Sequence, residues 1–138
     1  MSTKLRVGTI FRYILPFAIA AYIFYLSSEG HDLSSGRSLP IAEILGLAEW
    51  FVRKSAHFII YFLFGASVAN ASRDPKSIPA SIAICGYYAV LDEFHQSFNP
   101  ERSGQVSDII LDFVASILGI LAVHLLLTRR PKNVRIKK

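Results

Sequence analysis

Residues Val7 to Ser28 form a run of 22 with a single charge, on Arg12. As a helix this run is about 33 Å long, enough to cross the hydrocarbon core of a bilayer. Three further apolar blocks follow, Ala56 to Ala71, Ile78 to Phe98 and Val106 to Leu127. Nothing else in the chain constrains its fold as strongly. Composition agrees, because 52% of the 138 residues are hydrophobic and 18% are charged, whereas a water-facing domain carries roughly 25% charged residues. The expectation is an all-α protein, a four-helix transmembrane bundle.

At the N-terminus a retained span is expected rather than a cleaved signal peptide, although the basic start at Lys4, Arg6 and Arg12 fits either. The first block ends in Tyr22-Ile23-Phe24-Tyr25-Leu26, bulky side chains where cleavage needs small ones. The net charge of +5 does not indicate a nucleic-acid binder, since the cations gather at the two ends and form no basic face. The one cysteine, Cys85, has no partner for an internal disulfide.

Between the first two spans, Pro40 to Trp50 reads as a short amphipathic helix lying in the membrane interface. Pro40 stands at its first turn, Glu43 follows, and Ile41, Ile44, Leu45 and Ala48 share a face. Arg73-Asp74-Pro75-Lys76 is a polar turn, and Ser77 with Pro79 starts the third span. That span reaches about 31 Å only if Asp92, Glu93, His95 and Gln96 belong to its final turns. Asn99 to Gly104 is a second turn. Residues 1–128 are thus a transmembrane domain, and residues 129–138, with six cations and no acid, a basic cytoplasmic tail.

Orientation follows from the Lys and Arg residues. Lys4, Arg6 and Arg12 precede the first span, Arg73 and Lys76 fill the middle turn, and the tail adds six more. The positive-inside tendency makes both termini and the middle turn cytoplasmic. The second helix then enters from outside at Arg53, Lys54 and His57, the third leaves through Asp92, Glu93, His95 and Gln96, and the fourth enters through Asp108 and Asp112. Helical spacing puts Lys54, His57, Tyr61 and Gly65 on one stripe, Tyr88, Asp92, His95 and Gln96 on another, and Asp108, Asp112 and Ser116 on a third. A carboxylate facing lipid costs several kcal/mol, so the stripes are expected to face one another around an outward-opening polar pocket. The bland alternative is structural glue, with Lys54 or Arg53 paired to Asp108 or Asp112. No metal is expected, since no His-Glu-x-x-His pairing accompanies His57 and His95.

The run Arg53-Lys54-x-x-His57-Phe58-x-x-Tyr61-x-x-x-Gly65, then Asp92-Glu93-x-His95-Gln96-x-Phe98-x-Pro100-x-Arg102, then Asp108, resembles the VanZ-like family of small bacterial membrane proteins. Ser27-Ser28 at the outer end of the first span is similar to the family pattern too. At one position the chain departs from it: the family often has Asn where this chain has Asp112. The resemblance implies a multi-pass protein of the bacterial inner membrane; it supplies no reaction and no cofactor.

The leading functional expectation is an outward-facing site in the outer leaflet that binds or processes an anionic lipid or cell-envelope precursor. Arg53, Lys54 and Arg102 would hold the anion, with Ser28, Tyr61, Gln96, Asp108 and Asp112 also binding. His57, Asp92, Glu93 and His95 would do acid/base work, as imidazole changes charge near neutral pH. No nucleophile elbow accompanies them. The alternatives are a proton-linked transporter, using His57, Asp92 and Asp112 as a relay, and a non-catalytic accessory subunit.

Overall fold

The computed structural model describes residues 3–98 and 105–129, with side chains from residue 8 onward except 31–33. Arg102, the turn from Asn99 to Gly104 and the tail beyond Arg129 lie outside the described residues. The described residues form helices, with α1 at Thr3–Ser27, α2 at His31–Leu45, α3 at Glu49–Ser72, a 3-10 turn at Pro75–Ser77, α4 at Ile78–Gln96 and α5 at Val106–Thr128. Three of these, α1, α3 and α5, are long and apolar enough to cross a membrane. Their outward faces carry large apolar side chains in the open, such as Phe17 at 77% exposure and Leu126 at 67%. That surface suits lipid contact rather than water.

The amphipathic stretch differs from its sequence reading at both ends. It begins at His31, nine residues before Pro40, so the proline sits inside α2 and withholds one N–H from the Gly36 carbonyl. It ends at Leu45 because Gly46 adopts the left-handed conformation, φ 64°, and the Leu47 N–H returns to the Ala42 carbonyl at 2.9 Å. Ala48 and Trp50 therefore do not continue that helix. Ala48 is the N-cap of α3 and Trp50 lies in its first turn.

At the other reversal, α3 closes on Arg73, also left-handed at φ 55°. Asp74 then accepts the Lys76 N–H at 3.0 Å, and the Ser77 hydroxyl donates to the Asp74 carbonyl at 2.6 Å. This local bonding makes the polar turn tight enough to lead straight into α4.

Helix α3 is the centre of the molecule, packing against α1, α2, α4 and α5. It runs parallel to α5, and the two backbones come unusually close. A Cβ built on Gly65 would run into the Ser116 backbone, and one on Gly119 into the backbone of Phe62 and Ala66. The Ser116 hydroxyl also donates to the Tyr61 carbonyl at 3.2 Å. This interlocking of small residues fixes the rotation of α3 against α5. Helix α1 lies along α4, where the Tyr88 hydroxyl donates to the Ala20 carbonyl at 2.5 Å. The ends of α1 and α4 thereby meet the beginnings of α3 and α5 at one end of the molecule.

Candidate functional site

At that end the three stripes expected from the helical spacing do meet, joined by α1. Asp92, only 4% exposed, accepts three hydrogen bonds from neutral donors. The Ser27 hydroxyl reaches its Oδ1 at 2.5 Å, while the Tyr61 hydroxyl at 2.8 Å and the Gln96 amide at 3.2 Å reach its Oδ2. Gln96 also donates to Ser27 Oγ at 3.3 Å. Three side chains from α1, α3 and α4 are thus tied to one carboxylate with no cation among them.

A second group lies between α3 and α5. His57 Nδ1 faces Asp112 Oδ2 at 3.5 Å, and Asp112 is 1% exposed, its Oδ1 without a hydrogen-bond partner among the described residues. Nearer the helix starts, Lys54 forms an ion pair with Asp108. Arg53 takes no part in it. Successive helical residues diverge by about 100°, so when Lys54 and His57 face α5, Arg53 turns toward α1 and α2.

Glu93, 5% exposed, accepts the backbone N–H of Gln105, the N-cap of α5. A carboxylate there is favoured by the positive end of the helix dipole, which gives Glu93 a structural task, anchoring the start of α5. His95 sits at the edge, its Nε2 at 3.1 Å from Ser28 Oγ and its ring stacked on Phe24 with centroids 4.4 Å apart.

The charged groups of α3, α4 and α5 pack against one another, and the open space lies beside them. A half-open cavity of about 240 Å³ is lined by α1, α2 and α3, and Ser27, Arg37, Arg53, His57 and Tyr61 are among its lining residues. Arg37 is also paired with Glu29. Among the described residues no carboxylate lies within ion-pair distance of Arg53. A second cavity, of about 320 Å³, lies between α1 and α4 and is lined mainly by Phe24, Tyr88, Phe94 and Phe98, with Asp92 and His95. Among the described residues no three His, Cys, Asp or Glu side chains are grouped so as to hold a metal ion.

Of the residues singled out from the sequence, Arg53, His57 and Tyr61 face the first cavity. Asp92 and Gln96 stand in the polar web, Asp112 faces His57 beside it, Lys54 and Asp108 neutralise each other, and Ser28 and His95 form a pair outside it. The sequence reading missed Arg37, Ser34 and Ser38, which α2 brings to the cavity, because that segment reads as a loop. It also favoured Ser28 where Ser27 makes the buried contact, and passed over His124, buried in the distal half of α5.

The Lys54 and Asp108 pair is partly in solvent, with side chains 36% and 23% exposed. A double-mutant cycle with Lys54→Met and Asp108→Asn should give a coupling of about 1 kcal/mol, the upper range for exposed pairs. Arg53→Met combined with Asp112→Asn should be additive. Strong coupling in the second cycle would mean that Arg53 turns toward α5 after all.

A family model described as VanZ/LLP1 matches residues 8–127 of the chain. No curated protein and no solved structure matches it.

Proposed function

The chain belongs to the VanZ/LLP1 family of membrane proteins, and from that premise we propose that it binds an anionic lipid or cell-envelope precursor in the outer leaflet of the bacterial inner membrane. In this reading α1, α3, α4 and α5 all cross the bilayer, with both termini and the turn at Pro75 cytoplasmic. Helix α2 lies in the outer interface, where the exposed Ile44, Leu45 and Trp50 meet lipid. Two features support α4 as a fourth span. It packs alongside α1, α3 and α5, and its buried carboxylates fall in its last two turns, level with the polar ends of its neighbours.

One observation carries the binding reading: Arg53, with no acidic partner among the described residues, lines a cavity whose remaining wall is largely apolar. An uncompensated guanidinium beside hydrocarbon is costly unless an anion joins it, and its planar fork suits phosphate or carboxylate. Behind it His57 is the acid/base candidate. Its Nδ1 is turned to Asp112 while its ring lines the cavity, so Asp112 acts as the positioning residue.

The test is thermal stabilisation of the detergent-purified protein by added amphiphiles, with Arg53→Gln as the variant. Phosphate-headed lipid should stabilise the parent more than choline-headed lipid of equal chain, and Arg53→Gln should weaken that response at least tenfold in midpoint concentration. Equal stabilisation by both lipids would overturn the reading. In a Cys85→Ser background, a cysteine at Glu43 should react with an impermeant reagent from outside and one at Lys76 should not; the reverse would place the cavity in the inner leaflet.

A further inference from the structure

We infer that Arg37 is a second anion-binding residue of the cavity between α1, α2 and α3, held in reserve by Glu29, and that the head it completes is a terminal phosphate, linked through one oxygen and free at the other three. This rests on the anion-site reading of Arg53 and adds a residue and a class of head to it.

Helix α2 turns one face to the cavity. Ser34, Arg37, Ser38 and Ile41 all line it, and their steps of three and four put them on the same side of the helix. The hydroxyl of Ser38, a residue 6% exposed, donates to Glu49 Oε1 in the first turn of α3 at 2.9 Å. Arg53 is one turn further along the side of α3 that carries Glu49. The two guanidiniums therefore reach the cavity from two helices at the same end, where α1 finishes with Ser27 in the lining.

They differ in what holds them. Among the described residues Arg53 has no carboxylate within ion-pair distance, whereas Arg37 is paired with Glu29, two residues past the end of α1. The pair is half in solvent on the arginine side, with side chains 50% and 12% exposed. Solvated ion pairs of this kind change an equilibrium by at most about fivefold. A guanidinium bound to phosphate through two parallel N–H donors is held more firmly, since both partners are charged and the geometry matches. An arriving phosphate therefore takes the Arg37 fork from Glu29. Until then the carboxylate keeps that fork beside the cavity.

The oxygen count sets the class of head. A phosphodiester has two free oxygens, which the fork of Arg53 alone can engage. A terminal phosphate offers a third and carries about −1.5 to −2 charges at neutral pH. That third oxygen and second charge are what Arg37 can answer.

The experiment measures binding to the full chain in neutral detergent at neutral pH, by native mass spectrometry and thermal shift. The probes share dioleoyl tails: phosphatidic acid has a terminal phosphate, phosphatidylglycerol a diester, and phosphatidylcholine a diester with no net charge. Phosphatidic acid should bind about tenfold more tightly than phosphatidylglycerol, the worth of one further hydrogen bond between charged groups. Arg37→Gln should erase that preference, while Arg53→Gln should weaken both anionic lipids. Glu29→Gln removes the competitor and should tighten phosphatidic acid about threefold, but leave it unchanged in an Arg37→Gln background. Glu43→Gln, which removes the same charge elsewhere on α2, should have no effect. Because Arg37→Gln and Glu29→Gln act in opposite directions, a folding defect cannot imitate the pattern. Equal binding of the two anionic lipids by the parent, no gain from Glu29→Gln, or a gain that persists without Arg37 overturns the exchange and leaves Arg53 as the anion site. No preference for either anionic lipid over phosphatidylcholine overturns the anion site itself.

Discussion

Replacing Asp92 with alanine should destabilise the protein by about 2–4 kcal/mol, the larger part of it from donors left without an acceptor rather than from lost charge. Three donors, the hydroxyls of Ser27 and Tyr61 and the Gln96 amide, converge on this one carboxylate. Hydrogen bonds between membrane helices average only about 0.6 kcal/mol each, because an unfolded helix in lipid also finds partners. The two that cross from α1 and α3 give about 1 kcal/mol, and the Gln96 bond within α4 adds to it. A buried donor with no acceptor adds a penalty of about 1–3 kcal/mol, and Tyr61 is fully buried, so the total exceeds the simple sum. Tyr61→Phe, which removes one donor and leaves Asp92 two, should cost about 1 kcal/mol or less. Asp92→Asn should fall between them, since the amide keeps one acceptor but sets an NH₂ among donors. Unfolding in mixed micelles ranks the three variants. A Tyr61→Phe cost equal to that of Asp92→Ala would show that a single bond, not the three-donor web, holds α1, α3 and α4 together.

The second large effect is steric. Gly65→Ala and Gly119→Ala should each cost more than about 3 kcal/mol, beyond the usual range for overpacking, and leucine at either site should abolish recovery of folded protein. The obstacle in both cases is backbone, of Ser116 for Gly65 and of Phe62 and Ala66 for Gly119, and a helix backbone cannot rotate aside. Gly86 is the control. A Cβ there meets the Phe113 ring at 2.9 Å, the far end of a side chain that can shift, so Gly86→Ala should cost under about 1 kcal/mol. Comparable losses at all three glycines would mean that helix flexibility, not the α3 and α5 contact, is what these positions supply. Loss of the α3 and α5 register would also part His57 from Asp112, so partially folded Gly65 variants should lose lipid binding before they lose helix content.

The family's polar residues are legible in the sequence because they are so unlike their surroundings. Asp92, Glu93, His57 and Asp112 stand in apolar blocks, and steps of three and four along the chain are enough to place each set on one face of its helix. The ends of α3, α4 and α5 are readable to within a few residues, apart from the start of α3, which begins seven residues before the expected block. Helix α2 is misread because its first turns are rich in Ser and Gly, which look like a loop, and because Pro40 imitates a helix start. Its true end depends on one backbone angle, at Gly46, that composition does not encode.

Hydropathy and periodicity act along one helix at a time, so the sequence by itself determined the helices, their apolar faces and the level at which charge gathers. It could not determine which charge meets which. Lys54 rather than Arg53 pairs with α5, and Ser27 rather than Ser28 meets Asp92, because neighbouring positions differ by about 100° around the helix and only tertiary packing sets that rotation. The close approach at Gly65 and Gly119 sets it for α3 and α5. Once Lys54 and His57 are turned toward the acids, Arg53 is left facing the half-open space that α1 and α2 line, and the cavity exists only because α2 folds back over it.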